Sequence, residues 1–273
     1  MVHLAAYYDF TGQPHPEYQR TNVDATRLLL EVCRPLALRR FVYASSVAAC
    51  AATRERTPIT EATPPDGAHV YAMTKRKGEE MMRGHLDAFP CTSVRFAAMY
   101  SDWCEYPPLY KFVETWLSDR WDARILGGRG HSSIPFLHVR DGVSFLLRVL
   151  ERMDDLDRWE VVAASNDGSV THREMFDAAT AYAFGRSRRP ILVPRAVARR
   201  GMAARDLVGR LVGNRPFERP WMADYIDTHL HVDAAHTRRR LDWSPHPRLD
   251  VLRRIPFMIE NRRTAPIEWL RGN

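Results

Sequence analysis

The sequence predicts an α/β fold in which helices wind over both faces of a parallel sheet, and three observations lead to it. Short apolar runs alternate with amphipathic helical stretches along residues 1–164. The runs Val2–Ala6 and Arg40–Ser46 end in small or hydroxyl side chains, at the edge where open α/β sheets receive their ligands. The chain has 273 residues and 45% hydrophobic content, enough for a full core of one or two domains.

Val2–Ala6 reads as a short strand, followed by a Gly/Pro loop over Thr11–Pro16. An amphipathic helix then runs over Val23–Cys33, with Leu28, Leu29 and Val32 on its apolar side. Arg40–Ala44 is the next strand. A polar loop through Pro64-Pro65-Asp66-Gly67 leads to a helix over Tyr71–Leu86, and Thr92–Ala97 is a further strand. Pro107-Pro108 opens a helix near Leu109–Leu117. Gly127-Gly128-Arg129-Gly130 marks a turn before the apolar segment Ile134–Val139, and Asp141 starts a helix through Leu150. Trp159–Ala163 is a late strand, and Thr171 with Glu174 has the spacing of a capping box that opens a helix to Phe184. Beyond Ala164 the segments turn mostly helical and Arg-rich, which divides the chain into 1–164 and 165–273.

Composition excludes several classes. Cys33, Cys50, Cys91 and Cys104 show neither Cys-x-x-Cys pairing nor histidine at metal-ligand spacing, so reduced thiols, no metal and a cytoplasmic setting are expected. Met1–Ala6 lacks the basic and apolar pattern of a leader, and no run nears the roughly 18 apolar residues of a bilayer span, so no membrane partner is expected. The net charge is +7, with arginine clustered at Arg186–Arg205 and Arg238–Arg240. A solvated, arginine-biased surface accounts for this; a phosphate-bearing ligand is the next reading, and a nucleic-acid partner is not expected.

The chemistry concentrates in Ser46, Tyr71 and Lys75. Tyr71 and Lys75 lie four apart and share a helix face, where an ammonium lowers the pKa of a phenol and lets it pass a proton near neutral pH. The chain has 37 Arg and only three Lys, and an ammonium suits sugar hydroxyls where a guanidinium fork suits carboxylates and phosphates. Ser46, at a strand end, can hydrogen-bond the oxygen that gains or loses the proton. Structural roles stand beside these: Ser46 as a turn cap, Tyr71/Lys75 as an ordinary helix pair, and His138 and Asp141 as packing and cap positions. Arg95 and Arg129 read either as diphosphate ligands or as ion pairs, His229 and His231 alternate as on a strand, and Trp243 reads as a core aromatic.

In this order the residues resemble the extended short-chain dehydrogenase/reductase family, the NAD(P)-dependent epimerase/dehydratases that act largely on nucleotide sugars. Val2-His3-Leu4-Ala5-Ala6 resembles the family's fourth strand, which passes beside the cofactor, and Asn22-Val23-x-x-Thr26 the start of the helix after it. Phe41–Ser46 is similar to the fifth strand with its catalytic hydroxyl, and Tyr71/Lys75 to the family's Tyr-x-x-x-Lys. Val94-Arg95, Phe136-Leu137-His138-Val139-x-Asp141-x-Val143 and Leu241-Asp242-Trp243-Ser244-Pro245 resemble later signatures. The resemblance implies Tyr71 as acid/base and Lys75 as holder of the nicotinamide ribose and depressor of the Tyr71 pKa. Ser46 would orient the substrate oxygen, Leu4, Ala5 and Ala6 would lie along NAD or NADP, and a sugar-type molecule would be the substrate.

The pattern departs at three places. None of the 14 glycines forms the family's Gly-x-x-Gly-x-x-Gly turn, which brings backbone amides to the cofactor pyrophosphate. Cys50-Ala51 stands where Tyr-Gly is common, and Phe96-Ala97-Ala98 where Pro-x-Asn is common. The resemblance therefore implies an N-terminally truncated Rossmann domain over 1–164, a mostly helical substrate domain over 165–273, and cofactor binding that is weakened or absent. It also implies an open sheet edge at Val2–Ala6. A second reading follows, a non-catalytic paralogue that serves as a binding or assembly subunit by pairing that edge with a second copy or a partner chain.

Overall fold

The computed structural model describes residues 1–271. In chain order the strands are β1 (Val2–His3), β2 (Phe41–Ser46), β3 (Cys91–Phe96), β4 (Ala98–Tyr100), β5 (Ile125–Gly127), β6 (Ser133–Ile134), β7 (Phe136–His138), β8 (Trp159–Ala164), β9 (Val170–Thr171) and β10 (Ile191–Val193). The helices are α1 (Ala25–Cys33), α2 (Val70–Arg83), α3 (Pro107–Trp116), α4 (Val139–Glu151), α5 (His172–Phe184), α6 (Arg195–Leu211), α7 (Ala235–Leu241), α8 (Val251–Thr264) and α9 (Pro266–Arg271).

Strands β1, β2, β3 and β8 form one parallel sheet in that order, with β1 at an edge. Side chains alternate across it. Phe41, Tyr43 and Cys91 meet Leu30 of α1 and Met82 of α2 on one face, while Val42, Val94 and Val162 meet Phe145 and Val149 of α4 on the other. Helices on both faces of a parallel sheet give the doubly wound α/β arrangement the sequence predicts. A second core gathers Tyr100, Leu109, Trp116 and Phe136 with Met175 and Phe176 of α5 and Val251 and Ile255 of α8, so residues before and after Ala164 pack together.

Several expectations are corrected. Strand β1 ends at His3 rather than Ala6, because the next stretch bonds to side chains instead of a strand: Tyr7 N donates to Asn22 Oδ1 at 2.6 Å and Asn22 Nδ2 donates to Tyr7 O at 2.9 Å. Asn22 sits in a π-helical turn, Tyr18–Asp24, that runs into α1. Helix α1 buries Thr26, Leu30 and Cys33, while Leu28 and Val32 are exposed. The inward stripe includes a threonine, satisfied inside because its hydroxyl donates to Asn22 O at 2.8 Å and lies 3.0 Å from His3 Nε2. The segment Ile134–Val139 is divided at Pro135, which lacks a ladder N–H, and α4 starts at Val139 with His138, not Asp141, as its N-cap. The capping box of Thr171 and Glu174 is realised at the start of α5.

Candidate active site

The carboxyl end of β2 delivers Ser46, and α2 delivers Tyr71 and Lys75. Ser46 caps a short turn, its Oγ accepting from Ala48 N at 3.1 Å, so the strand ends with the hydroxyl fixed at the sheet's edge. Helix α2 is capped by His69, whose Nδ1 accepts from Ala72 N at 3.3 Å, and this sets Tyr71 in the first turn. The Ser46 hydroxyl, which also lies 3.5 Å from Phe96 O, is near enough to the Tyr71 phenol to lower its pKa. One turn on, Lys75 lies beneath, its Nζ 5.4 Å from the centre of the Tyr71 ring and 5.0 Å from that of Tyr43. Two segments, the end of β2 and the first turns of α2, thus bring Ser46, Tyr71 and Lys75 into one region.

The electrostatics differ from expectation. Burial pushes the Tyr71 phenol up to about 12, against a lowering from the Ser46 hydroxyl. The expected depression by Lys75 does not appear, because Nζ donates to Ala44 O at 2.7 Å and faces the ring rather than the phenolic oxygen. Burial also lowers Lys75 itself, to about 8. No carboxylate pairs with this ammonium among the described residues.

Leu4, Ala5 and Ala6 leave β1 at the same edge of the sheet as Ser46 leaves β2, and all three are exposed. The loop they open brings Tyr8 over Tyr71, with ring centres 4.3 Å apart, and Phe10 against Tyr106 and Phe217. Asn22 ties this loop to α2, since Nδ2 also donates to Thr74 Oγ1 at 3.1 Å. Sequence reasoning missed Tyr8, Tyr43 and the role of Asn22. One signal was available: Gly78, in a helix interior, is where α2 approaches Tyr43 so closely that an added Cβ would lie 2.3 Å from the phenolic oxygen.

Other nominated residues resolve into structure. Arg95 makes a two-point pair with Glu79, at 3.0 Å and 2.9 Å, and Ser45 and Ser93 donate to the same carboxylate, so Arg95 is an ion pair of the core and not a diphosphate ligand. The turn Gly127–Gly130 is closed by Asp227, whose carboxylate accepts from Arg129 N at 3.0 Å and His131 N at 3.3 Å. Trp243 packs edge-on against Phe145 at 4.8 Å. A cavity of about 460 Å³ includes Arg83, Trp159 and His236 and none of the three site residues; one of about 170 Å³, lined by Ala48, His69 and Tyr225, adjoins them. Among the described residues there is no cluster able to hold a metal ion, and no helix is long and apolar enough to cross a membrane.

Comparison with known proteins identifies the family. Residues 1–163 match the model of the NAD dependent epimerase/dehydratase family. An Escherichia coli O111:H- relative, described as an uncharacterized 37.6 kDa protein in the cld 5' region, is 24% identical over 178 residues, covering 64% of this chain and 52% of the relative. The match thus spans about half the length of that relative. Similar solved structures include a mutant UDP-glucuronic acid 4-epimerase from Bacillus cereus in complex with UDP-4-deoxy-4-fluoro-glucuronic acid and NAD, at TM-score 0.70 and 17% identity, covering 95% of this chain and 74% of that one. Another is UDP-glucose 4-epimerase from Thermotoga maritima with UDP-glucose, at TM-score 0.69 and 18% identity, covering 97% and 77%. A third is MoeE5 with UDP-glucose and NAD, at TM-score 0.68 and 20% identity, covering 97% and 79%. At these identities the likeness to solved structures is one of fold, and it is the family model, over more than half of the sequence, that decides membership: the chain belongs to the NAD dependent epimerase/dehydratase family.

Proposed function

We propose that this protein oxidises or reduces a hydroxyl carbon of a nucleotide-sugar substrate with NAD or NADP, in a cytoplasmic setting, through Ser46, Tyr71 and Lys75. The observation that carries the reading is the convergence on Tyr71 of the buried Lys75 ammonium, 5.4 Å from its ring centre, and of the strand-end Ser46 hydroxyl, which lowers the phenol's pKa. The neighbours bound to NAD and UDP-sugars support the substrate and cofactor class.

The residues fit the nicotinamide end of such a cofactor. Lys75 spends one N–H on Ala44 O and has two further donors for ribose hydroxyls. Leu4, Ala5 and Ala6 would lie along the cofactor where the chain leaves β1. When bound, the nicotinamide supplies the hydride acceptor and donor. Tyr71 takes the proton of the substrate hydroxyl and returns it in the reverse direction, and Ser46 holds the substrate oxygen and stabilises the Tyr71 phenolate by donating to it. At the pyrophosphate end the described residues offer no matching glycine turn, since Asp227 fills the one at Gly127–Gly130.

The test is calorimetric binding of NAD and NADP together with turnover of UDP-glucose and UDP-glucuronic acid followed by NMR. Tyr71→Phe is expected to keep cofactor affinity and lose at least about a hundredfold in turnover; an unchanged rate overturns the reading. A non-catalytic assembly subunit is the second reading, favoured by β1 standing at the sheet edge. A homodimer or a complex with a partner chain, without detectable cofactor binding, would select it.

A further inference from the structure

We propose that α6 is an interfacial anchor that seats the protein on an anionic lipid surface. This helix is inverted relative to a helix of a soluble surface. Its buried positions are Asp206 and Gly209, and Asp206 holds Arg210, Arg215 and Arg219 within 3.1 Å. Arg195 and Arg199 pair with Asp224 on the same inner side. At helical spacing, Val197, Ala204, Leu207, Val208, Leu211 and Val212 share the opposite face. Leu207, Val208, Leu211 and Val212 are 60%, 56%, 79% and 68% exposed. Arg200, the cation within this face, pairs with no carboxylate among the described residues. Beside the helix, Trp121 is 75% exposed, next to Asp122, which pairs with Arg205. An apolar stripe turned to solvent and bordered by arginine is the pattern of a helix that lies in a membrane interface.

Charge selects the occupant. Residues 186–219 hold ten arginines against Asp206 and Glu218, a net charge of +8, while the whole chain carries +7. Counting Asp122 and Asp224, which pair into this segment, six positive charges remain in excess. Pairing of this face with a second copy would bring two such fields together, whereas an anionic headgroup surface neutralises them. The expectation of no membrane partner rested on the lack of a spanning stretch, which an interfacial helix does not need. The helix rests on the turn Pro220–Tyr225, and Tyr225 lies 6.3 Å from His69, so the anchor borders the candidate active site.

Flotation of the full chain with phosphatidylcholine vesicles containing about one-third phosphatidylglycerol tests this, with pure phosphatidylcholine vesicles as the control. Wild type is expected to float with the anionic vesicles only, and to be released as ionic strength rises. The Leu207→Asp/Leu211→Asp variant should bind at least about tenfold more weakly with an unchanged circular dichroism spectrum. Val197→Asp/Val208→Asp on the same face should act alike, and serves if the first variant fails to fold. Failure of wild type to float, or equal flotation of the folded variants, overturns the proposal. A dimer seen by light scattering, lost in the variants and with no vesicle binding, also overturns it and gives the face to self-association.

Discussion

Lys75 and Glu79 stand one turn apart on α2, both buried, at 2% and 1% exposure, and they are treated in opposite ways. Glu79 is held by both arms of Arg95 and by two serine hydroxyls. Its carboxylate stays below its ordinary range despite burial, because these donors outweigh desolvation. Lys75 has one carbonyl and two aromatic faces, and its pKa falls. A fully partnered charge is a structural element. A charge left short of partners is a cost the fold carries, and such costs gather where ligands supply the missing bonds.

The largest expected effect breaks the structural half of this pair. Glu79→Ala leaves Arg95 buried without its partner and should cost about 3–5 kcal/mol in denaturant unfolding. A loss under about 1 kcal/mol would mean that Arg95 finds water or that Thr63 O, 2.6 Å from its Nη1, suffices. Lys75→Met should act with the opposite sign. The fall from 10.5 to about 8 corresponds to roughly 3 kcal/mol of desolvation cost, and losing the bond to Ala44 O returns about 1, so the variant should gain about 2 kcal/mol at pH 7. The penalty is present in full below pH about 8 and vanishes above about 10.5, since in between the unfolded chain binds the extra proton. Wild type should therefore close the gap on the variant across that window, while the variant loses cofactor affinity and turnover. A variant less stable than wild type at pH 7 would remove the case for Lys75 as a strained functional group.

Gly78, between the two, sharpens the contrast. Alanine there gains about 1 kcal/mol of helix propensity but pushes on Tyr43, whose hydroxyl is buried without a partner. Overpacking at about 1–3 kcal/mol should win, for a net loss of about 1, measured as a lowered thermal midpoint. The displaced Tyr43 ring lies under Lys75, so turnover should fall while the Glu79 network holds.

Much of this was legible in the sequence. The alternation of apolar runs predicted the doubly wound sheet, and Ser46, Tyr71 and Lys75 were readable because a helix period and a strand end fix where those side chains go. What failed had physical reasons. Counting only large apolar residues on α1 picked Leu28 and Val32, which are exposed, over Thr26, whose hydroxyl finds partners inside. The direction of the Tyr71 shift depends on which way Nζ points, and Ala44 O decides that across 31 residues. Arg95 and Asp227 look available in sequence and are taken up by groups that only the fold brings near.

The smallest effect on stability is expected at Ser46, and it separates structure from chemistry within one side chain. As a cap, Ser46 accepts from Ala48 N, and Ser46→Ala should cost about 0.5 kcal/mol. Beside Tyr71 its hydroxyl lowers that phenol, so its removal should push Tyr71 further up. A base that must be ionised to act then works over a higher pH range. The limb along which turnover rises with pH should move upward in Ser46→Ala, and Ser46→Thr, which keeps the hydroxyl, should bring it back. If both variants share the wild-type pH profile while losing equal stability, Ser46 is only a cap, and Tyr71 and Lys75 carry the proton transfer without it.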